Sequence, residues 1–534
     1  MTDVLTTINP LAARSNRGIA EWVWYAIALL FILICAAPNL FFPFVADQIV
    51  ALSGAKTIAE GGTLYVDFWD NKMPGLFWFY YVAGELFGYS EFGVHLLELI
   101  WMGVFSGVLM VTLRSYFFYP WMSAVAPITV VAVYYVSAES FLLTQLEILI
   151  ALPVFLSAWF ASRLPSSLKA LPWLGFASGV CAGITVVFKL VFAPLFVVFW
   201  LVVSVHALST GRARFGAIVT DIWVPVSLGV AAVLGIVAVK FWLDGALGEL
   251  LWTAFEYPPQ ALAAIPPAPY YRLLEAVRFF LTYYLPLSGF IVVAIVHWWR
   301  SERDLFTSLL ITWLVVGLCL ILIQRFSWWQ YHFLILFAPA GILGVRGIDS
   351  LMRHLLVPSR SGGPSSMVLA ILLIIPVIGA VAIPGGQKVT PYLKVFVERR
   401  GDVLGFQKTI SATYATVYRS TRFLLDKTAL PGRIYVLGDP LYYHLSDRRP
   451  ALPIIGWPWG YFLQAQWDRV AGQLDAARPP YIYVDKKNRK MIEVRGGGVD
   501  EFIDEHYIKL FDDDDGSWFL LKPKHRRKAA TGTG

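Results

Sequence analysis

Charge is scarce in this chain: only 15% of its 534 residues are Asp, Glu, Lys or Arg, against roughly 25% in a soluble domain. Cysteine is scarcer still, with Cys35, Cys181 and Cys319 each inside an apolar run. A disulfide scaffold is therefore excluded, and we expect the three thiols to act as small buried apolar residues. The sequence has no P-loop, GxGxxG, HExxH or paired CxxC motif, so a nucleotide-driven pump and a zinc hydrolase find no support. What is abundant is apolar surface, with 57% hydrophobic residues and 16% aromatics. A soluble domain has too little interior to hide so much of it. A polytopic α-helical membrane protein is what remains.

A bilayer core needs about 20 apolar residues per helix. By that measure the chain holds about eleven spans, near 22–44, 93–113, 117–136, 144–162, 171–188, 190–208, 222–243, 277–297, 305–324, 331–347 and 366–384. The first lacks a small-residue cleavage site and reads as a retained anchor. With the N-terminus in the cytoplasm, the inside segments carry Arg14, Arg17, Arg114, Arg163, Lys169, Arg212, Arg214, Arg300, Arg303, Arg346, Arg353 and Arg360. The outside segments then carry only Lys56, Lys72, Lys189, Lys240, Arg272, Arg278 and Arg325. This bias favours that orientation, and an odd span count puts the C-terminal tail outside.

The tail holds the whole charge excess. Residues 385–534 contain 24 Lys+Arg and 17 Asp+Glu, and residues 1–384 balance. Inside the cell such a tail would suggest nucleic acid; outside, that reading falls. We expect residues 1–384 to form a transmembrane catalytic domain and residues 385–534 an extracytoplasmic α/β domain. The tail reads as an amphipathic helix over 401–428, strands at 433–437 and 480–484, a helix at 499–507, and a hairpin from 507–511 and 517–521. Asp512–Asp515 before Gly516 reads as a solvated hairpin turn rather than a cation site.

The outer face is where the chemistry concentrates. The first outer loop, about 45–92, is long for a connection. Asp47 stands one step beyond the first span, a costly place for a carboxylate and a position suited to a general base. A polar residue marking the helix end explains it equally well. Lys56–Thr63 reads as a short helix broken at Gly61-Gly62. The stretch Leu64-Tyr-Val-Asp67-Phe-Trp-Asp70-Asn-Lys72-Met-Pro74-Gly75 then projects two carboxylates and an ammonium beside aromatics. Leu76–Leu86 fits a helix lying in the interface plane.

These residues resemble the GT-C superfamily of membrane glycosyltransferases, in the branch of protein O-mannosyltransferases and the lipid A aminoarabinose transferase. The resemblance rests on Asp47, on Gly62-Thr-Leu-Tyr65-Val-Asp67 and on Lys72-Met-Pro74. It extends to Glu139 in the second outer loop, Lys189 after a Gly-rich span (Gly175, Gly179, Gly183), Gln330-Tyr331-His332, and the tail's Arg433-Ile-Tyr-Val…Tyr442-Tyr443-His444-Leu-Ser446…Arg448-Arg449-Pro450. Many members carry Asp-Glu where this chain has Asp47-Gln48, which leaves the candidate base intact and removes a second carboxylate.

The resemblance implies a sugar donor on a polyprenyl phosphate and a hydroxyl acceptor, which is a glycolipid, polysaccharide or protein. It implies inversion by one base, with Asp47 in that role. Asp67 and Asp70 would orient the sugar, or pair with Lys72. Lys72, Arg272, Arg278 and Arg325 are the external cations for a phosphate; snorkelling at a helix end accounts for Arg272 and Arg278 as well. Lys189 falls between two spans, where an ionisable residue is a functional candidate and a tight outer turn explains it equally well. Glu139 stands in a short outer loop, and Tyr331 and His332 sit at the tenth span. Glu98 and Glu147 lie a turn inside spans, and with His95 near Glu98 they read as buried groups holding helices together. The 244–276 segment, rich in proline, reads as a cover over the donor. No His/Cys cluster or carboxylate cage is evident, so no obligatory metal or other cofactor is expected. A retained anchor and an outward tail fit a bacterial plasma membrane. A secondary transporter and a noncatalytic envelope scaffold are the alternatives; mid-membrane charges and paired halves, the marks of a carrier, are not evident.

Overall fold

The computed structural model describes residues 10–167, 173–264, 266–325, 327–356, 364–455 and 462–523. Lys169, Phe326 and Arg360 lie outside the described residues, as do the side chains of Arg14, Arg17 and most of 366–384. The chain divides into two compact units. One is made of residues 1–42, 72–243 and 267–406, and the other of 43–71, 244–266 and 407–534.

The first unit is helical. Among the described residues, nine helices are long and apolar enough to cross a membrane: Glu21–Phe41, Glu91–Leu113, Pro120–Ser137, Leu146–Leu164, Leu190–Ser209, Phe215–Leu243, Tyr270–Arg300, Leu305–Ile323 and Gln330–Leu355. Trp173–Phe188 is a shorter apolar helix, and the eleventh expected span falls within the helix Pro364–Glu398. The protein is thus a multi-pass membrane protein. Local chemistry sets the helix ends. Ser90 accepts from the Gly93 amide at the head of Glu91–Leu113, and Asp304 does the same for Thr307 before Leu305–Ile323, each satisfying an amide that the helix itself leaves open. Small residues set the packing. A Cβ on Gly179 would collide with the Val226 carbonyl, and one on Gly229 with the Phe176 carbonyl, so Trp173–Phe188 and Val224–Leu243 approach backbone to backbone. Many large apolar side chains point outward, Trp22, Leu234, Ile236 and Val292 among them. Cys35 and Cys181 are buried as expected, but Cys319 is exposed on its helix; an apolar run does not distinguish a helix's packed face from its outer one.

The second unit carries a four-stranded sheet: β1 (Ile434–Leu437), β2 (Tyr481–Asp485), β3 (Tyr507–Asp512) and β4 (Gly516–Leu521). The order is β1-β2-β4-β3, with β1 parallel to β2 and the other two pairings antiparallel. Strand β1 is buried throughout, as its unbroken apolar run requires. The helix expected over 401–428 is two helices, Val403–Ile410 and Ala412–Thr421, because Ser411 leaves the helical conformation and caps the second by accepting from the Tyr414 amide. The Asp512–Asp515 turn is built from within. Asp513 Oδ1 accepts from the amides of Asp515 and Gly516, and Lys486 Nζ donates to the Asp513 carbonyl at 2.8 Å.

Two more segments complete this unit. Residues 244–266 are mostly helical: Leu247–Leu251 runs through a π-helical turn at Trp252–Glu256 into Tyr257–Ala264. Pro258 and Pro259 follow that wider turn, the kind of local departure from the α-helix that goes with proline inside a helical run. Residues 43–71 begin with the helix Asp47–Ala59. It starts nine residues before the expected Lys56 and stops at Gly61, whose φ of 81° only glycine adopts readily.

Candidate functional site

The loop that carries Asp47 is strained at two places. Ala46, immediately before it, has φ 48°, and Tyr65 has φ 69°. Such conformations in residues other than glycine cost on the order of 1–3 kcal/mol each and persist only where the surroundings enforce them. Asp47 opens its helix and is half-buried. Gln48, the residue that replaces a second carboxylate, is buried, and its Oε1 accepts from the Val45 amide at 2.9 Å. It thereby fixes the turn into Asp47. Asp67 is exposed and folds back on its own loop, accepting from the Thr63 amide at 2.8 Å. Asp70 is buried, at 1% exposure. Burial, and then the nearby negative charge of Asp70, hold the Tyr65 phenol well above its ordinary range; it remains a hydroxyl donor at neutral pH.

In the helical unit two expected residues converge on a third that the sequence reading had assigned to helix packing. Lys189 Nζ lies 2.5 Å from Glu147 Oε1, and His332 Nδ1 lies 2.7 Å from the same oxygen. Ser327 Oγ is 3.0 Å from His332 Nε2. Both ring nitrogens are satisfied if His332 donates from Nδ1 to Glu147 while the Ser327 hydroxyl donates to Nε2. The 3.3 Å approach of Lys189 to Nδ1 then follows from their shared acceptor. The cluster is deeply placed: the side chains of Glu147 and His332 are 1% and 4% exposed, and Lys189, at 17%, is its opening. Because Glu147 balances Lys189, the cluster supplies directed N–H donors with no net charge. The signal for Glu147 was its place just inside a span, where an ionisable group is functional by default.

The neighbouring loop brings further expected residues to this cluster. Tyr331 stacks edgewise on His332 with ring centres 4.6 Å apart. The Arg272 guanidinium sits 4.3 Å above the Trp329 ring, a cation–π contact that holds it in place. The Arg325 carbonyl accepts from the Ala268 amide at 2.8 Å, which ties the 325–332 loop to the head of Tyr270–His297; the Arg325 side chain is exposed. Arg278 lies farther along that helix, exposed, beside an apolar surface of Leu274, Val277, Leu281 and Leu285. Lys72 is half-buried and Glu139 is exposed, just before the short turn Ser140–Leu142.

Glu98 does not pair with His95 as expected. Its Oε1 accepts from the Thr144 amide at 3.0 Å and from the Tyr134 hydroxyl, while His95 meets the backbone carbonyls of Asn39 and Leu40. Thr144 is itself strained at φ 53°, and its hydroxyl lies 2.6 Å from that of Tyr80. Glu98 therefore holds the bend three residues before Glu147. Lys388, which the sequence reading passed over, donates to Asn39 Oδ1 at 2.9 Å and to the Tyr135 and Ala138 carbonyls. Burial pulls its ammonium down to about 7, against the opposing pull of the Glu139 carboxylate.

The helical unit also holds an open apolar groove of about 450 Å³. Trp78, Phe79, Val82, Leu97, Trp101 and Phe188 are among its walls, and Phe188 is followed directly by Lys189. Among the described residues, no group of three or more His, Cys, Asp or Glu is placed to hold a metal ion.

No protein-family model matches the sequence, and no curated protein matches it. Solved structures do match in fold. The structure of ArnT from Cupriavidus metallidurans bound to undecaprenyl phosphate is similar at a TM-score of 0.58 and 14% identity, over 94% of this chain and 99% of that one. Its apo form is similar at a TM-score of 0.58 and 16% identity, over 95% and 100%. The archaeal oligosaccharyltransferase AglB from Archaeoglobus fulgidus, in complex with an inhibitory peptide and a dolichol-phosphate, is similar at a TM-score of 0.50 and 11% identity, over 95% and 74%. The chain therefore has the GT-C fold that the sequence resemblance implied.

Proposed function

We propose that the protein is an inverting glycosyltransferase that moves a sugar from a polyprenyl-phosphate donor to a hydroxyl acceptor (a glycolipid, polysaccharide or protein) on the outer face of a bacterial plasma membrane. The observation that carries this reading is the GT-C fold over nearly the whole chain, in a molecule with an open apolar groove whose walls include Phe188, the residue before Lys189. A polyprenyl tail is fully apolar and fits such a groove; its phosphate needs N–H donors where the apolar wall stops.

Asp47 is the base that takes the acceptor's proton as its oxygen attacks the anomeric carbon. A single displacement inverts that carbon and needs no second carboxylate. The breaking bond leaves its electrons on the phosphate, whose charge rises from one to two. Arg272, Arg325, Lys72 and Arg278 are the cations suited to meet that charge, with guanidinium forks matching phosphate oxygens. Lys189 orients the phosphate with N–H donors whose charge Glu147 balances, while His332 belongs to the same site by fixing the Glu147 carboxylate, with Tyr331 bracing the imidazole. Asp67, Asp70 and Glu139 engage sugar hydroxyls. In this reading residues 1–384 are the transmembrane catalytic part, the N-terminus is cytoplasmic, and the tail is extracytoplasmic. No metal is required: turnover should survive EDTA, and loss of turnover restored by Mg²⁺ or Mn²⁺ would make Asp67, Asp70 and Glu139 ligands instead.

The test is purified protein in nanodiscs given undecaprenyl-phosphate hexoses and pentoses with envelope lipid as acceptor. Acceptor-dependent appearance of undecaprenyl phosphate supports the reading. Movement of intact substrate across the membrane, with no bond broken, would favour a transporter.

A further inference from the structure

The second unit joins the first outer loop, residues 43–71, to the C-terminal tail at three places. Phe44, three residues before Asp47, is fully buried and meets the His444 ring edgewise at 5.5 Å. Glu60, one residue past the helix that Asp47 opens, receives the Arg449 guanidinium, with Nε donating at 2.6 Å. Trp69, one residue before Asp70, is buried too and is held through both its backbone and its side chain. Its backbone amide donates to the Pro453 carbonyl at 2.9 Å, and it forms a parallel bridge with Ile454. Its indole stands among Tyr257, Phe462 and Trp252, and its Nε1 donates to Thr253 Oγ1 at 3.2 Å.

The tail side of these contacts is itself fixed to the sheet. The Ile434 amide donates to the Arg449 carbonyl at 3.0 Å, and Ala451 donates back to Ile434 at 2.8 Å. The Tyr435 hydroxyl donates to the Ile454 carbonyl at 3.2 Å. A continuous path of hydrogen bonds thus runs from β1, through residues 449–454, to Trp69. Each of the two loop carboxylates, Asp47 and Asp70, lies within three residues of a clasp, and the strained Ala46 and Tyr65 lie between the clasps. Strain in a loop relaxes unless something holds it, and these clasps are what holds it.

We propose that the C-terminal sheet is the mount of the Asp47 loop, and that Trp69 is its principal positioning residue, with Glu60–Arg449 and Phe44–His444 as lesser clasps. The inference rests on the functional reading above for its kinetic consequence, not for its structural one. Trp69 touches no reacting atom in this account; it acts through the loop. The exposed Glu60–Arg449 pair is a weak clasp, since such pairs are worth little.

The experiment compares full-length wild type with Trp69→Ala, Trp69→Phe, Glu60→Arg, Arg449→Glu and the Glu60→Arg/Arg449→Glu double variant, all in nanodiscs. Amide exchange is followed by peptide, and undecaprenyl phosphate binding by native mass spectrometry. In Trp69→Ala, exchange over 43–71 rises while β1 and β2 stay protected, and kcat for sugar transfer falls about 10²-fold, the cost of a loop displaced by an ångström. Undecaprenyl phosphate binding stays as in wild type. Trp69→Phe, which keeps a ring but not the bond to Thr253, regains most of the turnover. Each charge reversal loosens the loop slightly, and the double variant restores it. Unchanged exchange over 43–71 in Trp69→Ala would overturn the proposal, and so would unchanged kcat in a wild type that transfers sugar. If Trp69→Ala also unprotects β1 and β2, the charge-reversal set decides, and failure of the double variant to restore protection overturns the mount. If the loop loosens as described but wild type transfers no sugar, the mount stands and the functional reading falls.

Discussion

The two units treat charge in opposite ways. In the helical unit, Glu147, Lys189 and His332 are gathered into one buried cluster whose members satisfy each other. In the loop that carries Asp47, that carboxylate is half-buried and Asp67 exposed, with Asp70 alone buried, on backbone bent through the unfavourable φ values of Ala46 and Tyr65. On the proposed topology, the contrast follows from the solvent each region meets. A charge near hydrocarbon has to be paired, so it is structural before it is anything else. A carboxylate near water can be presented, provided the backbone beneath it is held still. Substitutions in the first region should therefore move stability, and those in the second should move turnover alone.

The sharpest way to break that comparison is at Asp47. Asp47→Asn is expected to lower kcat by about 10²–10⁴-fold, the share a positioned base contributes, with thermal unfolding unchanged; a lowered Tm would mean that Asp47 is structural after all. Next is Glu147→Ala, which strands Lys189 in the interior and should destabilise the helical unit by about 3–5 kcal/mol, read as early unfolding in detergent. Pairing Glu147→Leu with Lys189→Met should recover most of that stability and still impair undecaprenyl phosphate binding. A smaller effect is expected at Glu98. Glu98→Gln keeps an acceptor for Tyr134 and Thr144, whereas Glu98→Leu removes the acceptor that the Tyr134 hydroxyl and the Thr144 amide share, at about 1–3 kcal/mol.

Lys388 sharpens the comparison through pH. Burial holds its ammonium at about 7 in the fold, below the ordinary lysine value of 10.5. Between those two values the unfolded chain binds the extra proton, so stability rises with pH through that window. Below about 7 both states are protonated and this dependence vanishes. Unfolding measured from pH 7 to 10 should show the rise in wild type, and Lys388→Met should flatten it.

Much of the fold was legible in the sequence. Among the described residues, nine of the expected apolar runs appear as helices long enough to span a bilayer, and the four tail strands lie within a residue of where β-rich runs between turns placed them. Both signals are local, a hydropathy window in one case and a short β-rich run bounded by turn residues in the other. The candidate site was legible as a list of residues rather than as an arrangement. Lys189 and His332 stood out, but their common partner Glu147 lies 42 and 185 residues away in sequence, a pairing that no spacing rule reaches. Arg449 meets Glu60 across 389 residues, and for that reason the link between tail and loop was invisible. The helix over 401–428 was overdrawn because an amphipathic period does not register a serine that stops one helix and caps the next. Lys388 was missed because its helix continues past the apolar run that announced it.

The central claim is that one carboxylate at position 47 drives transfer from a lipid-linked sugar. The most direct measurement is a single-turnover assay with undecaprenyl-phosphate sugar preloaded into nanodiscs, comparing wild type with Asp47→Asn at equal donor occupancy. The account predicts acceptor-dependent release of undecaprenyl phosphate in wild type and almost none in the variant. Equal release from both would contradict it.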